Sequence, residues 1–223
     1  MILALEFSTN RRSVAVFETS EESMIPPQLL AAGDEEVQRG TSPFVLLERV
    51  LEKAQVNPSQ LVQILVGIGP GSYTGIRSAL AIARGWQLAQ PVLLQGIATS
   101  DILAKQTQAS GFTGRLHTVI DAQRDEIYAT SYLISTTDIQ SLGPTVLKNP
   151  TLLLIEEGDL VVGPGADRWF PEARPIFPEA CLMAILARQS PHLLKDHAIE
   201  PIYLRETTFQ KAPPPRRLPA DIS

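Results

Sequence analysis

The chain has little of the chemistry that metal and redox sites require. It contains one cysteine, Cys181, and three histidines, His117, His192 and His197. A single cysteine excludes an internal disulfide, fits a reducing cytoplasm, and in its apolar context indicates a buried thiol. No histidine pair has the four-residue spacing that places both rings on one helical face. We therefore expect no metal site.

Long apolar runs and an excess of positive charge are also absent. No run approaches the roughly 20 residues of a membrane span, and no basic segment precedes the first apolar residues, as it would in a signal peptide. The 19 basic and 24 acidic residues give a net charge of −5. Strong independent nucleic-acid binding usually shows as a basic patch or stripe. We expect a cytoplasmic protein without membrane contact, which would reach RNA mainly through a partner.

The hydrophobic pattern predicts an α/β fold, because short β-branched runs alternate with stretches of helical period. Ser42 and Pro43 are typical of a helix start. In chain order, we predict strands at 2–7, 13–18 and 29–34, a helix at 43–55, a strand at 61–68, a helix at 74–90, a strand at 92–95, a helix at 98–110, and strands at 116–120 and 126–133.

The most informative segment is the glycine-rich string GIGPGSYTGIR at residues 67–77, between a predicted strand and a predicted helix. Such a turn leaves backbone N–H groups that can bind an anion or let another segment approach closely. It lacks the Gly-Lys-Ser/Thr of a P-loop and the last glycine of the dinucleotide fingerprint. On the residues alone, a tight turn with Pro70 fixing φ is equally well supported. In either case Gly69 or Gly71 should need a positive φ or a close backbone approach.

The whole string resembles the signature of the bacterial TsaB (YeaZ) family, usually GxGPGSFTGxR. Four further fragments resemble family elements in the expected order, at residues 3–16, 120–128, 162–165 and 200–205. Together they extend over most of the chain. The signature positions in this chain are Gly69, Pro70, Gly71, Ser72, Thr74, Gly75 and Arg77.

The resemblance implies an actin/Hsp70/sugar-kinase (ASKHA) fold. In that fold two lobes with duplicated mixed sheets face each other across a nucleotide cleft, and here the second lobe would be reduced. The repeat is visible as strand, carboxylate, polar turn and strand, first at Glu6 and again at Asp121, roughly 115 residues later. We place the first lobe at 1–98, the second at 99–206, and an extended, basic, proline-rich tail at 207–223.

The predicted cleft residues give only weak evidence of nucleotide binding. Glu6 replaces the aspartate that kinase-type folds usually have, and the turns after both carboxylates lack glycines that would let amides approach phosphates. Ser72 has no histidine partner, so we assign no catalytic residue and no required cofactor, and expect at most residual ATP or ADP binding. The candidate cleft residues are Glu6, Ser8, Thr9, Asp121, Gly163 and Gly165.

Two helices of the first lobe carry more apolar or small residues than one core-facing stripe requires. The stripe of the first runs through Phe44, Leu47 and Leu51, which leaves a second apolar pair. The second helix has a seam of small residues. Covering both sides of a sheet would explain much of this, whereas docking with helices of another chain is what the resemblance implies. The candidate partner-interface residues are Leu46, Val50, Ser78, Ile82 and Gly85.

The resemblance implies a non-catalytic scaffold in the machinery that attaches threonylcarbamoyl to N6 of adenosine 37, in tRNAs that read ANN codons. The expected partners are the catalytic, metal-bearing subunit TsaD and the ATPase TsaE, with a homodimer when the chain is alone. Two alternatives stay open. One is an active actin-fold ATPase, kinase or glycoprotease-like enzyme, and the other is a stand-alone homodimeric binding module.

Overall fold

The computed structural model describes residues 1–19, 26–38, 41–195 and 199–205. The proposed tail at 207–223 and His197 lie outside these ranges. None of the helices in the described ranges combines the length and apolar character that crossing a bilayer takes.

The first lobe is built on a five-stranded mixed sheet. The strands are β1 (Ile2–Glu6), β2 (Arg11–Glu18), β3 (Gln28–Glu36), β4 (Gln63–Gly67) and β5 (Leu93–Ile97). The central strand β1 pairs antiparallel with β2 and parallel with β4, so the order across the sheet is β3-β2-β1-β4-β5.

Two helices cover one face of this sheet, α1 (Pro43–Ala54) and α2 (Tyr73–Ala89). Helix α1 begins where Ser42 Oγ accepts a hydrogen bond from the backbone N–H of Phe44 at 3.3 Å, with Pro43 in the first turn. It ends at Gln55, whose φ of 54° closes the helix. Helix α1 packs against β2 and β3, whereas α2 packs against β4, β5 and β1, and the buried side chains of both helices belong to one apolar core.

Helix α1 buries a wider face than the sequence predicted, because Leu46 and Val50 are buried together with the predicted core residues Leu47 and Leu51. Leu46 and Val50 are 0% and 1% exposed, whereas Phe44 is 53% exposed. Beneath α1, Gly33 of β3 lets the helix approach, since a Cβ there would lie 3.0 Å from Val50 Cγ2 and 3.3 Å from Leu46 Cδ1. The assignment of Leu46 and Val50 to a partner surface was therefore wrong, and Phe44 takes the exposed position.

The second lobe repeats this plan in shortened form. The antiparallel pair β6 (Gly114–Asp121) and β7 (Ile127–Ile134), with β10 (Leu160–Val162) parallel to β6, repeats the arrangement of β1, β2 and β4. Strands β8 (Ile139–Ser141) and β9 (Val146–Lys148) both pair with β7.

Where the first lobe has α1, the second has only a three-residue 3-10 helix at Pro150–Leu152. The predicted two-lobed fold with duplicated mixed sheets and a reduced second lobe is confirmed.

Helix α3 (Thr99–Ala109) and helix α4 (Met183–Gln189) fill the space between the two sheets. Ala4 and Leu65 of the first sheet share one apolar cluster with Ile102 of α3 and Tyr132 of the second sheet. The lobes are thus joined by a common core.

The end of the described chain returns to the first lobe. Ile199 belongs to the core beneath α2, and the N–H of Ile202 donates to the carbonyl of Ile68 at 2.9 Å. We predicted that residues 199–205 belong to the second lobe, because they follow that lobe in the chain. Ile199 and Ile202 instead pack against the core of the first lobe.

Candidate functional site

The signature turn uses its glycines to dock on the β1–β2 turn. A Cβ on Gly71 would lie 2.2 Å from the carbonyl oxygen of Ser8, and one on Gly75 would lie 1.9 Å from that of Phe7. The Ser72 N–H donates to the Ser8 carbonyl at 2.6 Å. The two turns are therefore packed backbone to backbone, at distances that no larger residue permits.

The remaining signature residues shape the turn and start α2. Gly69 has φ +90° and Gly71 φ +150°, which confirms the predicted need for a positive φ, and the Gly69–Pro70 bond is cis. Ser72 caps α2, since its Oγ accepts from the Gly75 N–H at 3.2 Å. This serine is thus engaged as a helix cap. Thr74 is exposed at the start of the helix.

Glu6 lies beneath the cleft rather than in it. Its side chain is fully buried, and a Cβ on Gly67 would lie 1.8 Å from Glu6 Oε2, so the carboxyl group occupies the space that this glycine leaves. The Ser8 N–H donates to Glu6 Oε1 at 2.7 Å. The assignment of Glu6 to the cleft wall was wrong, because β1 turns its even-numbered side chains toward the core shared with α3.

Burial changes the protonation of this carboxyl group. Glu6 Oε2, Ser8 Oγ and Thr99 Oγ1 are buried without a hydrogen-bond partner. Removal from water raises the pKa of Glu6 to about 7, and the polar groups of Ser8 and Thr99 oppose that rise. Near neutral pH a substantial share of the molecules therefore carries an uncharged Glu6.

The equivalent carboxylate of the second lobe, Asp121, lies at the cleft. Its Oδ1 accepts from the Gln123 N–H at 2.7 Å, and its Oδ2 is 3.6 Å from Arg168 Nη1. Gln123, Arg124 and Asp125 follow with φ values of 63°, 60° and 58°. Three consecutive non-glycine residues in the left-handed region are sterically unfavourable, so other contacts must hold this turn.

Between the two turns lies a cleft of about 850 Å³. Ser8 and Thr9 line it from the first lobe, and Asp121 and Gly165 line it from the second. Gly163 has a packing role instead, because a Cβ there would lie 1.9 Å from the Val119 carbonyl oxygen. The structure thus brings four of the six predicted cleft residues to one cavity, together with Ser72, Thr74 and Gly75 of the signature.

A second concave surface, the helical groove, separates α1 from α2. It has a volume of about 520 Å³. Of the predicted interface residues, Ser78, Ile82 and Gly85 line it, although Ile82 is only 7% exposed. Sequence reasoning missed Phe44, whose ring lies at the groove, because it assigned that residue to the core. The full lining is Phe44, Pro58, Ser78, Ala81, Ile82, Gly85, Trp86, Ala89 and Gln90.

His117 and Cys181 lie outside the linings of both surfaces. His117 Nδ1 is 2.8 Å from Ser131 Oγ, and its Nε2 is 3.0 Å from Asp159 Oδ2. This buried chain of contacts, which the sequence did not predict, ties the loop before β10 to β6. Burial and the neighbouring Glu179 raise the pKa of Cys181 to about 12, so its thiol is a poor nucleophile. Within the described ranges, no three His, Cys, Asp or Glu side chains form a group that could hold a metal.

Comparison with known proteins gives a consistent result. A family model described as "TsaD: tRNA N6-adenosine threonylcarbamoyltransferase" matches residues 44–168, more than half of the 223-residue chain. The tRNA threonylcarbamoyladenosine biosynthesis protein TsaB of Escherichia coli K12 is 24% identical over 96% of this chain and 98% of its own length. TsaB of Bacillus subtilis strain 168 is 31% identical over 37% of this chain and 35% of its own.

A solved structure of YeaZ from Pseudomonas aeruginosa has the same fold, with a TM-score of 0.75 and 22% identity over 91% of this chain and 99% of that one. The residues that the family model matches, 44–168, include the signature turn, α2 and the β6–β7 turn. The chain therefore belongs to the family that this model describes and, within it, to the TsaB (YeaZ) group with its two-lobed actin-like fold.

Proposed function

We propose that this chain is a non-catalytic subunit of the cytoplasmic assembly that makes N6-threonylcarbamoyladenosine at position 37 of tRNAs reading ANN codons. In this role it docks the catalytic subunit TsaD. The observation that carries the proposal is the helical groove, because it is an exposed apolar surface formed by α2 and by Phe44 of α1, and the second lobe has only a 3-10 helix in place of α1. The names of the TsaB relatives support the pathway.

The groove has the chemistry of a helix-binding surface. None of its lining residues carries a charge, and its floor is formed by small residues of α2. Ser78, Ala81, Gly85 and Ala89 recur three or four positions apart, so they form one row along the helix. Short side chains let the backbone of a second helix approach closely, while Phe44 and Trp86 supply apolar area at the sides. An apolar helix face of TsaD is the occupant we propose, and a second copy of this chain is the alternative when TsaD is absent.

The turns at the cleft support a scaffold rather than an enzyme. In actin-like kinases, turns of this kind offer backbone N–H groups to phosphate. Here the Ser8 N–H donates to Glu6, the Arg11 N–H to Thr9 Oγ1 and the Gln123 N–H to Asp121. Amides that already have an intramolecular acceptor are poor phosphate ligands. We therefore propose at most residual ATP or ADP binding in the cleft, with transfer carried out by TsaD and ATP hydrolysis by TsaE.

The tRNA should be held mainly by the complex. A net charge of −5 gives this chain little of the phosphate attraction that independent tRNA binding would need.

Reconstitution tests the proposal. The purified chain, the TsaD and TsaE of the same organism and unmodified tRNA are mixed with ATP, Mg²⁺ and the donor threonylcarbamoyl-adenylate, which releases AMP on transfer. Threonylcarbamoyladenosine is then measured by mass spectrometry after nuclease digestion. We expect product only when this chain and TsaD are both present, and co-elution of the two in size-exclusion chromatography. ATP turnover by the chain alone that is lost in Asp121→Asn would favour the enzyme alternative. Full modification without this chain would refute the scaffold role.

A further inference from the structure

The segment 199–205, hereafter the strap, connects α2 with the cleft. Its first half is fixed to the first lobe by two backbone contacts. Arg84 Nη2 donates to the Ile199 carbonyl at 2.8 Å, and the Ile202 N–H donates to the Ile68 carbonyl at 2.9 Å. Ile68 immediately precedes the signature turn. The strap is therefore anchored both on α2 and on the strand end that leads into it.

Tyr203 extends this anchorage to the start of α2. Arg77 Nε donates to Tyr203 Oη at 3.0 Å, and the Tyr73 and Tyr203 rings lie 5.3 Å apart. The Arg77 guanidinium is stacked 4.2 Å from the centre of the Tyr73 ring. The signature arginine thus connects the strap with the first turn of α2, on the helix that also forms the groove.

The last described residue of the strap crosses to the second lobe. Arg205 Nη2 donates to the carbonyl of Ala122 at 3.0 Å, to that of Gln123 at 3.3 Å and to Glu126 Oε2 at 2.6 Å. All three acceptors belong to the turn that contains the left-handed residues 123–125. One guanidinium therefore holds both ends of a sterically unfavourable turn at the edge of the cleft.

We propose that the strap couples the β6–β7 turn to α2, so that the state of the cleft and the occupancy of the helical groove influence each other. The two-state element is the turn at residues 122–126, left-handed while Arg205 clamps it and relaxed when the clamp is released. A ligand or partner that prefers one state shifts the other site by the same free energy, because coupling between binding sites is reciprocal. Only the partner-binding arm of the test below rests on the proposed function.

Hydrogen exchange on the isolated full-length chain tests the coupling without any partner. Arg205→Ala should raise the exchange rates of the turn amides of Ala122 and Glu126 by about tenfold or more, since local opening sets these rates. It should also raise exchange at Ile202 in the strap and at Gly75 and Ile76 at the start of α2. Arg205→Lys keeps the positive charge, but its ammonium group lies one bond closer to the backbone than Nη2, the atom that makes all three contacts. It should therefore give smaller increases at the same amides.

Arg168→Ala is the matched control. Arg168 contacts the same turn, through Asp121 and Asp125, but does not belong to the strap. It should speed exchange in the turn and leave Ile202, Gly75 and Ile76 at wild-type rates. The coupling is refuted if Arg205→Ala affects only the turn, if it leaves the turn unchanged, or if Arg168→Ala disturbs α2 as much as Arg205→Ala does.

The affinity of each variant for TsaD tests whether the coupling reaches the helical groove, and this is the partner-binding arm. With coupling of the usual size, Arg205→Ala should weaken TsaD binding by about fivefold or more, whereas Arg168→Ala should not. If the exchange pattern is as expected but no TsaD binding occurs even for the wild type, the coupling stands and the docking proposal fails. If TsaD binds both variants as it binds the wild type, while exchange at α2 has changed, the link does not reach the groove and the proposal is overturned.

Discussion

The two lobes carry equivalent turns that differ in their exposure to water and in the contacts that hold them. In each, a carboxylate at the end of the first strand accepts a 2.7 Å hydrogen bond from the N–H two residues later, Glu6 from Ser8 and Asp121 from Gln123. Glu6 is sealed from water by the signature turn, whereas Asp121 lines the cleft. The first turn is closed by neighbouring backbone, and the second is held by arginine side chains from elsewhere in the chain.

The difference extends to the helices. The first lobe keeps α1 and α2, and the groove between them is the apolar surface we assign to docking. The second lobe has a three-residue 3-10 helix in place of α1. A duplicated fold has thus diverged into one lobe with a tightly packed turn and a groove, and another with a clamped turn at the cleft. Four substitutions, each with a control, test this contrast.

The largest effect should come from a charge on the buried face of α1. Val50→Glu places a carboxylate where the native side chain is 1% exposed, so we expect a loss of at least about 3 kcal/mol in the free energy of unfolding. Phe44→Glu, on the 53% exposed residue of the same helix, should change it by less than about 1 kcal/mol. Urea denaturation measures both. Equal stabilities would mean that the observed face of α1 is wrong.

The buried carboxyl group of Glu6 should make the stability of the protein depend on pH. The pKa of Glu6 is raised from 4.5 to about 7, so the folded state binds its proton more tightly than the unfolded state. The resulting stability is fully present below pH 4.5 and is lost as pH rises toward 7. Glu6→Gln should remove this loss and stabilise the protein at pH 8 by about 3 kcal/mol.

The control for this prediction is Asp121→Asn, which leaves Glu6 and its burial in place and should therefore keep the loss of stability that Glu6 causes. Denaturant midpoints measured from pH 4.5 to 8 compare the two variants. A Glu6→Gln protein that is no more stable than the wild type at pH 8 would contradict the burial of a titrating carboxyl group under the signature turn.

A smaller effect should separate two glycines of α2. Gly75→Ala brings a Cβ to 1.9 Å from the Phe7 carbonyl oxygen, so the helix must shift, at a cost of roughly 1–3 kcal/mol. Gly85→Ala meets nothing within 4 Å and should stabilise the helix by about 0.5–1 kcal/mol. Thermal melts of both variants test this. If Gly75→Ala melts at or above the wild-type temperature, the backbone contact between the two turns is not a constraint.

Much of the fold could be predicted from the sequence, because hydrophobic period and capping residues are local signals. The helix predicted at 43–55 is observed at Pro43–Ala54, and the strand predicted at 2–7 is observed at Ile2–Glu6. The short strands β8, β9 and β10, of three residues each, have too few positions to show a period.

The errors at the sites have physical causes. The sequence of a helix with a wide apolar arc does not show which edge of that arc faces solvent. On α1, Gly33 lets the helix approach β3 closely, so Leu46 and Val50 are buried. Glu6 could have been placed correctly, since Ile2 and Ala4 precede it on the same face of β1 and both lie in the core toward α3.

The left-handed turn and the strap could not be read from the sequence. Gln123, Arg124 and Asp125 are not residues that ordinarily signal three consecutive positive φ values, and the contacts of Arg205 cross 79 or more positions in the chain.

The most direct test of the docking role is the affinity for TsaD of a variant that blocks the groove. Gly85→Glu adds a carboxylate in open space, so the isolated chain should fold normally, but docking would bury an unpaired charge. Burying such a charge costs roughly 2–5 kcal/mol, which corresponds to a 30-fold to several-thousand-fold weaker complex. Gly143→Glu, at a second-lobe glycine that also has nothing within 4 Å, is the matched control. Calorimetric titration should show strong weakening for Gly85→Glu alone, whereas wild-type affinity in both variants would contradict docking through the groove.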